Sequence, residues 1–127
     1  MPGIAIVVKV PFMKSKFGWV KVRGVKFEKD IIIHTDGTIT KRDKKKSKAL
    51  KPNYGHTPLS EHELGFLSQE KPEVVYVGTG HQASLPITSE ALQILKKFET
   101  IILSTPEVID KIDHEQRKLV AIIHITC

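Results

Sequence analysis

One cysteine, Cys127, is all the chain has, so no intrachain disulfide can form. So sparing a use of cysteine fits a reducing compartment. No apolar run approaches the roughly 20 residues that a membrane-spanning helix needs. The opening MPGIAIVVKV is apolar in its middle but has no basic segment ahead of it and no small-residue cleavage site behind it. It is not the arginine-rich amphipathic stretch of a transit peptide either. These absences set the expectation of a cytoplasmic protein with no membrane contact. Catalytic signatures are missing too: there is no Gly-x-Ser-x-Gly elbow, no phosphate-cradling P-loop, and no histidine pair at zinc spacing.

What is present is ordinary in bulk and uneven in charge. At 127 residues and 40% hydrophobic content the chain has enough material for one cored domain, 1–127, without staples. The net charge of +6 is concentrated in Lys41-Arg42-Asp43-Lys44-Lys45-Lys46-Ser47-Lys48, which holds six basic residues and one acid. The remainder is nearly neutral, so a partner selected by charge would be selected by that tract.

The chain is organised around Val74–Val77, a β-branched run between Pro72 and Gly78 that reads as a strand buried on both faces. Ahead of it, Ile4–Val10 reads as a strand and Lys14–Lys16 as a polar connection. Phe17–Val22 and Val25–Phe27 flank a turn at Arg23-Gly24, and Trp19 is assigned to packing within that sheet. Asp30–His34 and Thr38–Arg42 flank Thr35-Asp36-Gly37, an Asp-Gly hairpin signal. Residues 43–58 read as a basic loop with Pro52, Gly55 and Pro58. Ser60 and Glu63 form a capping box opening a first helix, with Leu59 and Leu64 at the staple positions, and Pro72 ends it. A second helix is expected over Ser89–Lys97, a strand over Thr100–Leu103, and a third helix from an N-cap at Thr105 with Pro106 at N1. A last strand covers Leu119–Ile125.

Gly78-Thr79-Gly80-His81-Gln82-Ala83 formally matches the dinucleotide fingerprint G-x-G-x-x-A. That motif requires a helix to open inside the loop, and Pro86 forbids one before about Thr88. The loop is left as a tight backbone crossing or a small-anion contact, with His81 the better placed functional imidazole. His124 and Cys127 supply two metal ligands at most and point to opposite faces of a strand, so His124 is read as a satisfied histidine. The acids Asp30, Glu63, Glu73 and Asp110 are scattered. The basic tract lacks interleaved aromatics and is read as a solvated loop or a phosphate-binding surface.

Beyond these readings, several segments resemble the Mth-type domain family. They are Phe17-Gly18, Asp30-Ile31-Ile32-Ile33, His56-Thr57-Pro58-Leu59, Lys71-Pro72-Glu73, Val77-Gly78-Thr79-Gly80, Ser104-Thr105-Pro106-Glu107 and the ending Val120–Cys127. Lys111-Ile112-Asp113-His114 stands where several members have Tyr-Asn-x-Leu. The resemblance implies an α/β fold, a mixed central sheet packed by helices with an additional N-terminal antiparallel β layer. It also implies a non-enzymatic accessory or assembly factor acting through a protein partner, with a homodimer as one form, and no cofactor or metal. The family's candidate site would fall on Gly78, Thr79, Gly80, His81 and Thr105, where a small anion or metabolite would bind or an unrecognised reaction would occur. A third reading is nucleic-acid binding through Lys41, Arg42, Lys44, Lys45, Lys46 and Lys48.

Overall fold

The computed structural model describes residues 13–127, so the strand expected over Ile4–Val10 lies outside the described residues. Two sheets share one core. The smaller is antiparallel, in the order β1 (Met13–Lys16), β2 (Trp19–Val22), β3 (Val25–Phe27). The larger has five strands in the order β5-β4-β8-β6-β7, built from β4 (Ile31–Ile33), β5 (Ile39–Lys41), β6 (Val74–Thr79), β7 (Glu99–Leu103) and β8 (Leu119–His124). In it β4 runs antiparallel to β5 and β8, while β6 runs parallel to both of its neighbours. The fold class expected from the sequence is the one observed.

Side-chain alternation on β6 explains the layering. Val74 and Tyr76 face one core with Ile31, Ile33, Val20, Val22 and α4 (Thr105–Ile112). Val75 and Val77 face a second core with Leu59, Leu64, Leu67, Leu85 and α3 (Ser89–Leu95). All of β6 is buried, as expected of a strand covered on both sides. The smaller sheet and α4 form one outer layer; α3 and the turns around Leu59–Leu67 form the other.

Several boundaries differ from the sequence expectation. Lys14–Lys16 is not a connection: it belongs to β1, and Phe17-Gly18 is the turn, with Gly18 at φ +92°. Residues 43–58 are not an irregular loop. Lys44–Leu50 is a 3₁₀ helix, followed by a single helical turn, α1 (Lys51–Tyr54). Ser60 does cap, accepting from the His62 N–H, but only a 3₁₀ turn over Glu61–Glu63 follows. Helix α2 (Leu67–Glu70) starts separately, and Lys71 ends it in a left-handed conformation ahead of Pro72. The Glu63 carboxylate does not close a capping box because it is committed to Arg42 and Ser47. Helix α3 follows a Thr88 cap as its sequence suggests, and stops at Leu95. In α4 the N-cap is Ser104, and Thr105 is the first helical residue, its hydroxyl turned inward.

Candidate functional site

The register of three strands brings three polar residues into a row. The hairpin pairs Ile31 with Lys41, and the next rung joins the Arg42 N–H to the Asp30 carbonyl at 2.9 Å. On the other side of β4, Ile31 pairs with Ile123, which sets Asp30 beside His124. Arg42 Nη1 donates to Asp30 Oδ2 at 3.0 Å, and His124 Nδ1 lies 2.7 Å from the same oxygen. Asp30 Oδ1 accepts from the Ile125 N–H at 3.0 Å. Because a carboxylate only accepts, His124 carries its proton on Nδ1. Nε2 then faces the Thr126 hydroxyl, 3.1 Å away. His124 is therefore the satisfied histidine its position suggested.

Glu63 completes the cluster from a distant segment. Arg42 Nε donates to Glu63 Oε1 at 2.7 Å and Nη2 to Oε2 at 2.9 Å, while Nη2 also reaches the Pro58 carbonyl at 2.8 Å. Ser47 donates to Glu63 Oε2 and bonds the Ser60 hydroxyl, so the 3₁₀ helix is pinned by its one buried polar residue. Burial pushes the Asp30 carboxyl up, but the hydrogen bond and charge of His124, with Lys44 and the Ile125 N–H, outweigh it and hold the group down at about 2. Burial works against the Arg42 guanidinium, yet its bond to Glu63 and the charges of Glu63 and Asp30 raise it.

Above this cluster opens a cleft of about 740 Å³. Asp30 and Arg42 lie buried at its base; Lys29, Lys41, Lys44 and Lys45 line it together with the acids Glu28 and Asp43, and Thr126 is part of its wall. Lys44 reaches down to Asp30 Oδ2 at 3.4 Å while remaining half exposed. The basic tract thus divides. Lys41, Lys44 and Lys45 face the cleft; Lys46 and Lys48 are exposed without lining it. Arg42, grouped with them from sequence, is 1% exposed and is not a surface cation. A lone arginine in a lysine run gave no sign of this. The informative signal was the Asp-Gly hairpin, whose register sets Asp30 opposite Arg42.

The glycine segment is placed differently from its sequence reading. Gly78 and Thr79 are the end of β6, and only Gly80 makes the turn, at φ +101°. A Cβ on Gly78 would lie 2.9 Å from Thr105 Oγ1; one on Gly80 would lie 2.3 Å from the Cys127 carbonyl carbon. The close neighbour that glycine admits is therefore the chain itself. The His81 N–H donates to Thr126 O at 2.8 Å, and the Gln82 and Ser84 N–H groups both donate to Cys127 O. Thr105 Oγ1 accepts from the Gly80 N–H at 2.9 Å and donates to His124 O at 2.6 Å, clipping the turn to β8. His81 Nε2 is 3.2 Å from Ser15 Oγ, and Nδ1 is buried without a partner among the described residues. The five residues do come together, around residues 124–127, and so hold Thr126 in the cleft wall. Among the described residues no cluster of three or more His, Cys, Asp or Glu side chains converges as a metal site.

No family model and no curated protein matches the chain. Solved structures do. A conserved hypothetical protein from Pyrococcus horikoshii, PH1505, is 31% identical with a TM-score of 0.78, over 90% of this chain and 97% of its own. A protein named MT938 is 32% identical with a TM-score of 0.76, over 94% of this chain and 100% of its own. A Mth938-like domain from Bordetella pertussis shares the fold at 17% identity and a TM-score of 0.54, over 98% of this chain and 90% of its own.

Proposed function

The chain belongs to the Mth938-like, or Mth-type, domain family, and on that premise we propose that it is a non-enzymatic accessory protein. In this reading it docks an acidic segment of a protein partner in the Lys41–Lys45 cleft. One observation carries the reading: the cleft presents four lysines against two acids, Glu28 and Asp43, at its walls while the ionisable groups at its base are spent on one another. Arg42 is taken by Glu63 and Asp30, and Asp30 by Arg42, His124 and the Ile125 N–H. A general base must have a lone pair within reach of a substrate proton, and these groups have theirs occupied. What the cleft offers an incoming molecule is an excess of positive charge and a shaped wall, which suits recognition of carboxylates. No described helix is long and apolar enough to cross a membrane, and a cytoplasmic setting is part of the proposal.

The volume of about 740 Å³ favours a second reading. Clefts of roughly 300–1,000 Å³ hold small molecules, so a small anionic metabolite is the alternative occupant. Native mass spectrometry of protein purified gently from its own cells tests both. The accessory reading expects one stoichiometric companion protein, lost from Lys41→Gln/Lys44→Gln/Lys45→Gln. A retained small mass, lost from the same variant, selects the metabolite. A companion held equally by the variant overturns the cleft as the docking site. Turnover of a defined substrate by the pure chain overturns the non-enzymatic role.

A further inference from the structure

The outer face of the smaller sheet carries chemistry that the cleft does not use. Met13, Val20 and Val22 are buried beneath that sheet. Alternation therefore sends Lys14, Lys16, Trp19, Lys21 and Lys26 to the opposite face. The register places Lys14 opposite Lys21 and Lys21 opposite Lys26, so three lysines stand in one row across three strands. At about 4.8 Å between strands the row spans roughly 10 Å. Lys16 is directly opposite Trp19. Like charges directly opposed on a sheet are destabilising, and among the described residues no ion pair neutralises Lys16, Lys21 or Lys26. The acid that follows β3, Glu28, is exposed and lines the cleft.

Trp19, expected to pack within this sheet, does so on its outer face. Its ring is partly buried among the lysines, with Lys26 Nζ 5.3 Å and Lys21 Nζ 5.6 Å from the centroid. Phe17, at the β1–β2 turn, is 58% exposed. The basic tract 41–48 lacks aromatics; this face has both kinds of group, interleaved.

We propose that this face binds single-stranded nucleic acid, the lysine row taking successive backbone phosphates and Trp19 stacking on an unpaired base. Lysines supply sequence-independent affinity through counterion release. A partly exposed ring among cations supplies an edge and face on which any base can stack. Duplex DNA offers the lysines phosphates but gives Trp19 no free base face, so single strands are preferred. An acidic polypeptide would satisfy the lysines and leave the indole unused. The face is separate from the cleft lysines Lys41, Lys44 and Lys45, and this inference stands whether or not the cleft binds a protein.

Trp19 is the only tryptophan in the chain, so its emission reports on this face alone. Titration with oligo-deoxythymidylate or oligo-uridylate is expected to quench it. Anisotropy of a labelled oligonucleotide should show binding weakening roughly 20- to 50-fold between 50 and 200 mM salt if three or four phosphates are held. Lys14→Gln/Lys21→Gln/Lys26→Gln should abolish most of that binding and flatten the salt dependence in a protein that still melts cooperatively. Trp19→Leu should weaken it roughly 5- to 100-fold, and Lys44→Gln/Lys45→Gln/Lys46→Gln/Lys48→Gln should leave it unchanged. The proposal is overturned if the wild type binds no oligonucleotide at 50 mM salt, or if the folded Lys14/Lys21/Lys26 variant binds as the wild type does. Competition by poly-glutamate as effective as by the oligonucleotide also overturns it, in favour of an acidic protein.

Discussion

Arg42 and Glu63 meet fork to fork, with two parallel hydrogen bonds of 2.7 and 2.9 Å between a guanidinium and a carboxylate that are both buried. Twenty-one positions of chain separate them, including the 3₁₀ helix and the turn through Gly55. The pair therefore ties the basic segment to the sheet and sets the base of the cleft.

Replacing Arg42 with methionine leaves the buried Glu63 carboxylate with only its Ser47 bond, takes one donor from Asp30 and removes the donor to Pro58 O. Loss of one partner from a buried ion pair costs about 3–5 kcal/mol, and urea denaturation should show a loss of that order. Arg42→Lys should recover only part of it, since an ammonium cannot make the planar two-point contact. An unchanged midpoint in Arg42→Met would show that the network does not hold the fold.

Acid should weaken the protein through Asp30. Its carboxyl ordinarily titrates near 3.8 and is held at about 2 in the fold. The unfolded chain thus takes up a proton before the folded one does, and stability falls as pH falls. The contribution is about 2 kcal/mol, fully present above about pH 5 and lost progressively as pH drops from there through about 2. Denaturation followed between pH 6 and 2 should show this decline, and Asp30→Asn, already less stable at pH 6, should show a shallower one. Equal slopes in the two proteins would assign the acid sensitivity elsewhere.

Thr105→Val keeps the shape of the side chain and deletes the hydroxyl between Gly80 N–H and His124 O. Two backbone groups then lose their partner, the first of them buried, at a cost of about 1–3 kcal/mol each. Thermal melting should register the loss, and Thr105→Ser should restore most of it.

Gly78→Ala sets a Cβ 2.9 Å from Thr105 Oγ1 and 3.2 Å from its Cα. The second contact is backbone, so α4 must move off β6, with an expected loss of about 1–3 kcal/mol, as for other overpacked cores. If Gly78→Ala melts as the wild type does, the close approach of α4 is not what requires glycine there.

Much of the architecture was legible because it is written locally. Val74–Val77 announced a strand buried on both faces. Asp36-Gly37 and Arg23-Gly24 announced hairpins, and Thr88 announced the start of α3; turn chemistry and side-chain period act over a few residues. Where local signals misled, a distant contact had overruled them. The capping box at Ser60 failed to close because Glu63 is drawn to Arg42. Residues 44–50 are ordered because Ser47 reaches Glu63 and Ser60. Trp19 was read as a packing residue of its sheet, and only the register places it on the outer face among the lysines.

The sequence by itself determined the order of the strands from β2 to β8, the places of α3 and α4, and the concentration of charge in one tract. Only the tertiary structure decided that Asp30, Arg42, Glu63 and His124 form one cluster. It also decided that the glycine turn closes on residues 126–127, and that two separate basic surfaces exist. The physical reason is separation along the chain. Asp30 and His124 are 94 positions apart, and only the pairing of β4 with β8 makes them neighbours.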